Sequence, residues 1–291
     1  MDGVLNLLKP PGMTSHDVVS VVRRALQTKK VGHTGTLDPG VAGVLPICVG
    51  KATRLADYIM GEDKAYRAEI TFGVETETAD SFGAITAERP AGQLGRGDVA
   101  YVLPRFTGPI MQIPPMVSAV KVGGKKLYEL AREGKEIERQ PRPVTIHRLQ
   151  LLDFTPGEHP VAIVDVVCSK GTYIRTLAED IGRALGVGAH MSHLVRTRSG
   201  PFTLAETTTM EELLAGDYRL IPPSEALGSM ARLTVTGRPA ERIAHGVAPA
   251  IPVEHPDGTT VALLDGTGEL IALAEVTDGQ LKLRKVFTKE E

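Results

Sequence analysis

The sequence predicts a chain of mixed α and β elements followed by a small all-β module. Three observations carry this. Residues 64–74 alternate, with Tyr66, Ala68, Ile70 and Phe72 on one side and Arg67, Glu69 and Thr71 on the other, which is the period of a strand. Over residues 173–185 the apolar side chains Ile174, Leu177, Ala178, Ile181 and Leu185 recur at helical spacing. Beyond Gly228 the pattern shortens into strand-length runs at 261–264, 270–274 and 281–286, with turn residues between them.

In chain order, residues 4–8 read as a strand ended by the turn Lys9-Pro10-Pro11-Gly12. Thr14 or Ser15 can cap a helix whose Val18, Val22, Ala25 and Leu26 share a face. Residues 44–49 form an apolar strand, and 52–59 a short helix with Leu55, Ala56 and Ile59 inward. After the strand at 64–74 come an acidic turn at 75–80, a strand near 84–87, a loop at 89–97 and a helix at 98–106. Residues 113–132 combine a strand, a Gly123-Gly124 turn and a helix, with basic residues along them. Residues 144–154 and 161–168 are further strands. Between 211 and 232 the pattern weakens, which sets a domain boundary near Gly228 and divides 1–228 from 229–291. The second part starts with a strand from Leu233 and a short helix at 238–244. Its short strands suggest a small β-barrel of about 60 residues, below the size that folds with ease alone.

At 291 residues the chain can bury a substantial core, in one large domain or in one plus a small one. Its 42% hydrophobic and 23% charged residues are ordinary for a soluble globular protein. Neither a signal peptide nor a membrane-length apolar run is visible, so a cytoplasmic protein is expected. The two cysteines, Cys48 and Cys168, lie far apart in apolar runs, as reduced buried thiols do. A net charge of −2 shows no basic excess, but residues 103–148 are locally rich in Lys and Arg. Lys121, Lys125 and Lys126 flank the Gly-Gly turn there. Such a region fits either a structured RNA ligand or a solvated charged helix.

The stretch Val31-Gly-His-Thr-Gly-Thr-Leu-Asp-Pro-Gly-Val-Ala-Gly-Val-Leu-Pro-Ile-Cys-Val-Gly50 is polar and glycine-punctuated in its first half and apolar in its second. It reads as a loop that holds Asp38 up and then enters the core as a strand. Asp38 is either a presented carboxylate or a turn residue, since Asp-Pro-Gly makes good turns. In Cys168-Ser-Lys-Gly-Thr-Tyr-Ile-Arg175-Thr-Leu a strand ends, a glycine turn follows, and Arg175 falls in the first turn of a helix. An arginine fork beside a carboxylate favours the ionised acid. Arg175 can equally form an ordinary surface ion pair.

His-Thr-Gly-Thr-Leu-Asp-Pro followed by Gly-Val-Leu-Pro resembles the active-site loop of the bacterial tRNA pseudouridine-55 synthases, the TruB family. The match extends from Gly3 to about Phe202, and the tail resembles a PUA domain through Asp265-Gly-Thr-Gly-Glu-Leu-Ile-Ala-Leu-Ala and Leu281-Lys-Leu-Arg-Lys-Val-Phe. The resemblance implies an α/β (α+β) fold: a catalytic domain on a mixed, largely antiparallel sheet, plus a small C-terminal PUA-like β-barrel. It implies that uridine 55 in the tRNA T loop is isomerised to pseudouridine without a cofactor. Asp38 matches the catalytic residue, as nucleophile or as proton acceptor at the ribose, and Arg175 its partner. Tyr66 becomes the ring that stacks on the target base, Tyr173 a second wall, and Leu194 an apolar pocket residue. His33 takes space vacated when the base leaves the stack, although a lone loop histidine is also an ordinary turn residue. Lys9 belongs to the family's Lys-Pro motif. Lys9, Lys121, Lys125, Lys126, Arg196 and Arg198 are expected at the RNA. Family members often carry arginine where this chain has Val195, and Arg198 can stand in for it. The family more often reads Ala-Thr or Ala-Ser where Val41-Ala42 stands, a difference in packing behind the loop. The resemblance also implies a monomer without an obligate protein partner.

Other chemistries lack their residues. Gly50-Lys51-Ala52 misses the first glycine and the hydroxyl of a phosphate loop. His190 and His193 have no completing zinc ligands nearby. No Gly-x-Ser-x-Gly elbow occurs, and Gly186-Val-Gly188-Ala-His-Met lacks the last glycine of a dinucleotide fingerprint. Two rival functions stand beside the enzyme: an RNA-folding protein that only binds, and a guide-RNA-dependent relative. Intact Asp38, Tyr66 and Arg175 speak against the first, and the insertion at 103–148 with a compact tail against the second.

Overall fold

The computed structural model describes residues 1–118, 120–135, 137–251 and 253–287. By packing the chain forms two compact units, Met1–Gly61 together with the residues from Ser199 onward, and Glu62–Arg198.

In the first unit β1 (Gly3–Lys9) pairs antiparallel with β3 (Ala42–Val49), Leu5 opposite Ile47 and Lys9 opposite Gly43. Both are nearly continuous apolar runs, as strands covered on two faces must be. The helix α1 (Ser15–Ala25) starts at Thr14, whose hydroxyl takes the Asp17 amide while the Asp17 carboxylate takes the Thr14 amide. Its Val18, Val19 and Val22 are buried. A three-residue strand, β2 (Val31–His33), also pairs with β3. It is too short to carry a periodic signal. After β3 the expected helix at 52–59 divides into a 3-10 turn, Gly50–Leu55, and α2 (Ala56–Met60), with Ala52, Leu55 and Ile59 inward.

The second unit contains β4 (Lys64–Phe72), β5 (Val74–Thr76), β6 (Ile85–Glu88), α3 (Arg96–Val102) and β7 (Gly108–Gln112). The hairpin β8 (Lys121–Val122) and β9 (Lys125–Lys126) leads to α4 (Leu127–Arg132). Then follow β10 (Arg142–Thr155), β11 (Val161–Cys168), α5 (Ile174–Ala184) and β12 (Ala189–Ser199). The strand order is β12-β4-β11-β10-β7, and the β4–β11, β11–β10 and β10–β7 pairs are antiparallel. Ala68, Ile70 and Phe72 of β4 meet Val164 and Val166 of β11 and the Ile174, Leu177, Ala178 and Ile181 stripe of α5 in one core. Within 113–132 the strand is the short β8, ahead of the Gly123-Gly124 turn and α4, while β7 ends before Pro114 and Pro115, which cannot donate to a ladder. At β12 the run of His190, Ser192, His193, Arg196 and Arg198 hides the strand alternation from a hydropathy reading. Gly123 (φ 58°) and Gly124 (φ 87°) make the two-residue β8–β9 turn, which needs positive φ twice.

The chain then returns to the first unit with β13 (Phe202–Thr203), α6 (Met210–Ala215), β14 (Ala231–Thr234), α7 (Arg238–Ala244), β15 (Thr260–Leu264), β16 (Leu270–Thr277) and β17 (Gln280–Val286). The last four strands form a sheet in the order β14-β15-β16-β17, with β14 parallel to β15 and the other pairs antiparallel. One side of this sheet has its own core around Val235, Ile243, Val261 and Val276. Ala262, Leu270 and Leu273 instead join Val4, Val44, Cys48, Leu55 and Phe202 in a second core. Arg54 and Lys285 add polar ties: Arg54 Nη1 donates to the Val286 carbonyl at 2.6 Å, and Lys285 Nζ to the Arg54 carbonyl at 2.6 Å. No helix among the described residues is long and apolar enough to cross a membrane.

Candidate active site

In the first unit, main-chain groups on either side of Asp38 are fixed by buried side chains. The fully buried Lys9 donates from Nζ to the carbonyls of Pro10 (2.9 Å), Met13 (2.6 Å) and Pro39 (3.1 Å). The Gly12 amide also donates to the Pro39 carbonyl, at 2.8 Å. At the other neighbour, the buried Ser15 hydroxyl accepts the Leu37 amide at 2.9 Å and donates to the Leu37 carbonyl at 3.3 Å. The Asp38 carbonyl accepts the Val41 amide at 3.0 Å, and Leu37 and Val41 are both buried. Gly35 (φ 130°) and Gly43 (φ 126°) take backbone angles that L side chains rarely adopt. His33 Nδ1 accepts the Gly35 amide at 3.3 Å, a turn-stabilising contact. Asp38 is half-buried on a tightly tied loop, the setting a positioned base or nucleophile requires.

In the second unit Arg175 is the second residue of α5 and only 5% exposed. Its Nη2 donates to the Val117 carbonyl at 2.8 Å, and Nη1 lies 3.5 Å from Asp80 Oδ2. Asp80 is itself buried, and its Oδ1 accepts the Thr78 hydroxyl at 2.6 Å and the Phe82 amide at 3.0 Å. The sequence shows Asp80 only as the end of an acidic turn, with no sign of this arginine. Gln112, 1% exposed, accepts the Tyr173 amide at 3.0 Å and donates to the Tyr173 carbonyl at 3.2 Å. That two-point grip fixes the half-buried Tyr173 as the cap of α5. A lone glutamine at a strand end carries no signal for this in the sequence.

Tyr66 and Leu194 are partly buried and pack against the same core. The Tyr66 hydroxyl is hydrogen-bonded to Arg196. Two residues expected at the RNA are buried side chains. Lys9 is 0% and Arg196 1% exposed, so the first ties the Asp38 loop and the second reaches Tyr66. Lys64, two residues before Tyr66 and 6% exposed, donates to the Glu62 carbonyl. Burial, and then the neighbouring Arg196 charge, pull the Lys64 pKa down to about 8. Arg198 is half-buried.

In the basic insertion Lys125 is exposed and pairs with Glu133 at 2.9 Å, which also takes Lys135 at 2.7 Å. Those two lysines hold the Glu133 carboxyl down at about 2. The side chains of Lys121 and Lys126 lie outside the described residues. Cys48 and Cys168 are buried free thiols, pushed by burial up to about 12 and about 11, so neither is a thiolate nucleophile at neutral pH.

The class is defined by the fold, which solved structures of Cbf5 share. Cbf5 in a Cbf5-Nop10-Gar1 complex is 29% identical, with a TM-score of 0.77 over 98% of this chain and 85% of that one. In the archaeal box H/ACA sRNP Nop10-Cbf5 complex the values are 26% and 0.75, over 98% and 86%. The particular family follows from the sequence. The profile described as TruB family pseudouridylate synthase (N terminal domain) matches residues 23–174, and that of the tRNA pseudouridylate synthase B C-terminal domain matches residues 175–227. The chain is 72% identical to tRNA pseudouridine synthase B of Symbiobacterium thermophilum, covering 99% of this chain and 96% of that protein. With the protein of the same name from Pelotomaculum thermopropionicum the identity is 47%, again over 99% and 96%. The chain belongs to the TruB family of pseudouridylate synthases.

Proposed function

We propose that this chain converts a uridine of tRNA to pseudouridine, at position 55 in the T loop. The observation that carries the reading is a half-buried aspartate on a loop tied at both neighbours, in a chain 72% identical over 99% of its length to a tRNA pseudouridine synthase B. The reaction breaks the bond from N1 of the base to C1′ of the ribose, turns the base while it stays bound, and joins C5 to C1′. The C5 proton leaves and N1 gains one, so no group is gained or lost. Asp38 acts on the ribose, as nucleophile or as proton acceptor, and Arg175 is its charge partner. The uridine leaves its stack at a cost of a few kcal/mol, which the Tyr66 ring offsets in part. Tyr173 and Leu194 wall the base, and His33 fills the space left behind. The functional division is a catalytic part at 1–228, with the RNA-binding insertion at 103–148, and a PUA-like RNA-binding part at 229–291. The enzyme acts in the cytoplasm as a monomer without an obligate protein partner.

The test is to incubate the pure protein with unmodified tRNA and to map pseudouridine by chemical reverse-transcription stops. A single stop marking position 55, formed without guide RNA or added cofactor, is expected. No stop, or one that needs a guide RNA, would overturn the reading.

A further inference from the structure

A guanidinium at 1% exposure calls for an explanation. Arg196 lies on β12, next to β4 in the sheet, and its burial lowers its pKa from the ordinary arginine value. Taking such a group out of water is costly, and an apolar residue of similar volume is often no less stable in its place. Lys64 adds a second buried cation beside it, which raises the cost. A purely structural role would be met more cheaply by leucine or methionine. What Arg196 gains is a hydrogen bond to the Tyr66 hydroxyl.

The direction of that bond follows from the groups themselves. A guanidinium has five N–H donors and no acceptor, so the phenolic oxygen must accept. The Tyr66 O–H is then directed to an acceptor other than Arg196. The bond places the far end of the ring, and packing against the core sets its plane.

We propose that Arg196 is a positioning residue for Tyr66: it holds the far end of the ring in place against the target base and keeps the phenolic oxygen as an acceptor. This rests on the reading of Tyr66 as the base-stacking residue, and it gives Arg196 a part in the rate of isomerisation rather than in holding tRNA.

The test is a double-mutant cycle with Arg196→Met and Tyr66→Phe, reading single-turnover pseudouridine formation at saturating tRNA, tRNA affinity against salt, and thermal melting. Arg196→Met is expected to slow the single-turnover step ~10-fold or more, with tRNA affinity within ~3-fold and an unchanged salt slope. In the Tyr66→Phe background, which has no hydroxyl to hold, the same change should add less than ~2-fold. Arg196→Lys, which keeps a donor, should recover part of the rate. Full additivity of the two substitutions would overturn the proposal, as would a loss that appears as weaker, less salt-dependent tRNA binding. If Arg196→Met does not fold, Arg196→Lys completes the same cycle. The wild-type reaction separates the two readings: no pseudouridine from wild-type protein overturns the proposed function, whereas normal wild-type activity with additive substitutions overturns this inference alone.

Discussion

The loop that carries Asp38 and the strands that carry Tyr66 and Arg196 are held in opposite ways. Around Asp38 the ties end on main-chain atoms: the carbonyl of Pro39 and both main-chain groups of Leu37. Two independent donors, Lys9 and the Gly12 amide, share the Pro39 carbonyl. The bonds from the Ser15 hydroxyl and the Gly12 amide are neutral and contribute about 0.5–1.5 kcal/mol each, whereas those from the Lys9 ammonium are charge-assisted at about 1.5–3 kcal/mol each. In the second unit Gln112 grips the Tyr173 main chain, but the charged ties also reach other side chains: Arg196 the Tyr66 hydroxyl, and Arg175 the Asp80 carboxylate as well as the Val117 carbonyl. Removing one partner of a buried charge costs about 3–5 kcal/mol, because the other is left uncompensated. The loop should therefore tolerate loss of the Ser15 hydroxyl better than loss of Lys9, which alone makes three of the bonds around it. The second unit is most sensitive where a buried charge would lose its partner, as at Asp80 beside Arg175.

The largest expected effect is at Asp38. Asp38→Asn keeps the carbonyl that accepts the Val41 amide, so the loop should hold while turnover is abolished. Affinity for tRNA should stay within about tenfold, ~1.4 kcal/mol, because the carboxylate serves the reaction and not the phosphates. Substantial single-turnover product from this variant would break the comparison at its root.

Arg175→Lys comes next. A lysine keeps the charge but not the planar fork that spans the Val117 carbonyl and Asp80, and a loss of ~100-fold in turnover is expected. Near-normal activity would move Arg175 among the tolerant supports.

A third change tests a region outside both networks. Replacing Lys121, Lys125 and Lys126 together by alanine should weaken tRNA binding and flatten its salt dependence by about 0.7–0.9 per lost phosphate contact. Chemistry on bound tRNA should survive. Unchanged affinity and salt slope would reduce residues 121–126 to a solvated hairpin, whose Lys125–Glu133 pair is exposed.

The last effect is on stability, not on activity, and depends on pH. Lys64 has its pKa lowered from 10.5 to about 8 in the folded chain, by burial first and by Arg196 next. Between those values the unfolded chain holds a proton that the folded one has lost, so this group makes the protein more stable as pH rises. Below pH 8 it is charged in both states and the full burial cost is present. Urea unfolding of wild type and Lys64→Met should show wild type gaining up to about 3 kcal/mol on the variant between pH 7.5 and 10.5. A difference independent of pH would mean that the ammonium is not confined as the second unit requires.

What the sequence by itself determined are the features whose physics is local. The period of two in β4 and the stripe of α5 follow from which side chains share a face, and both elements formed as read. By sequence Lys9 is legible only as part of the Lys-Pro motif and is expected at the RNA; its tie to Pro39, 30 residues on, belongs to the tertiary structure. Only the tertiary structure decided which charges lie inside. Arg196 and Arg198 are two residues apart on one strand and equal in composition, yet one is buried against Tyr66 and the other half-buried. Arg175 meets Val117 and Thr78, 58 and 97 residues away, and Gln112 grips Tyr173 across 61. Nor does any local pattern say that Ala262 and Leu273 share a core with Val4 and Cys48. Burial depends on what covers a residue, and the covering elements are brought there by strand pairing between distant segments. The charge and period of a side chain are written at its own position. Its desolvation and its partner are not.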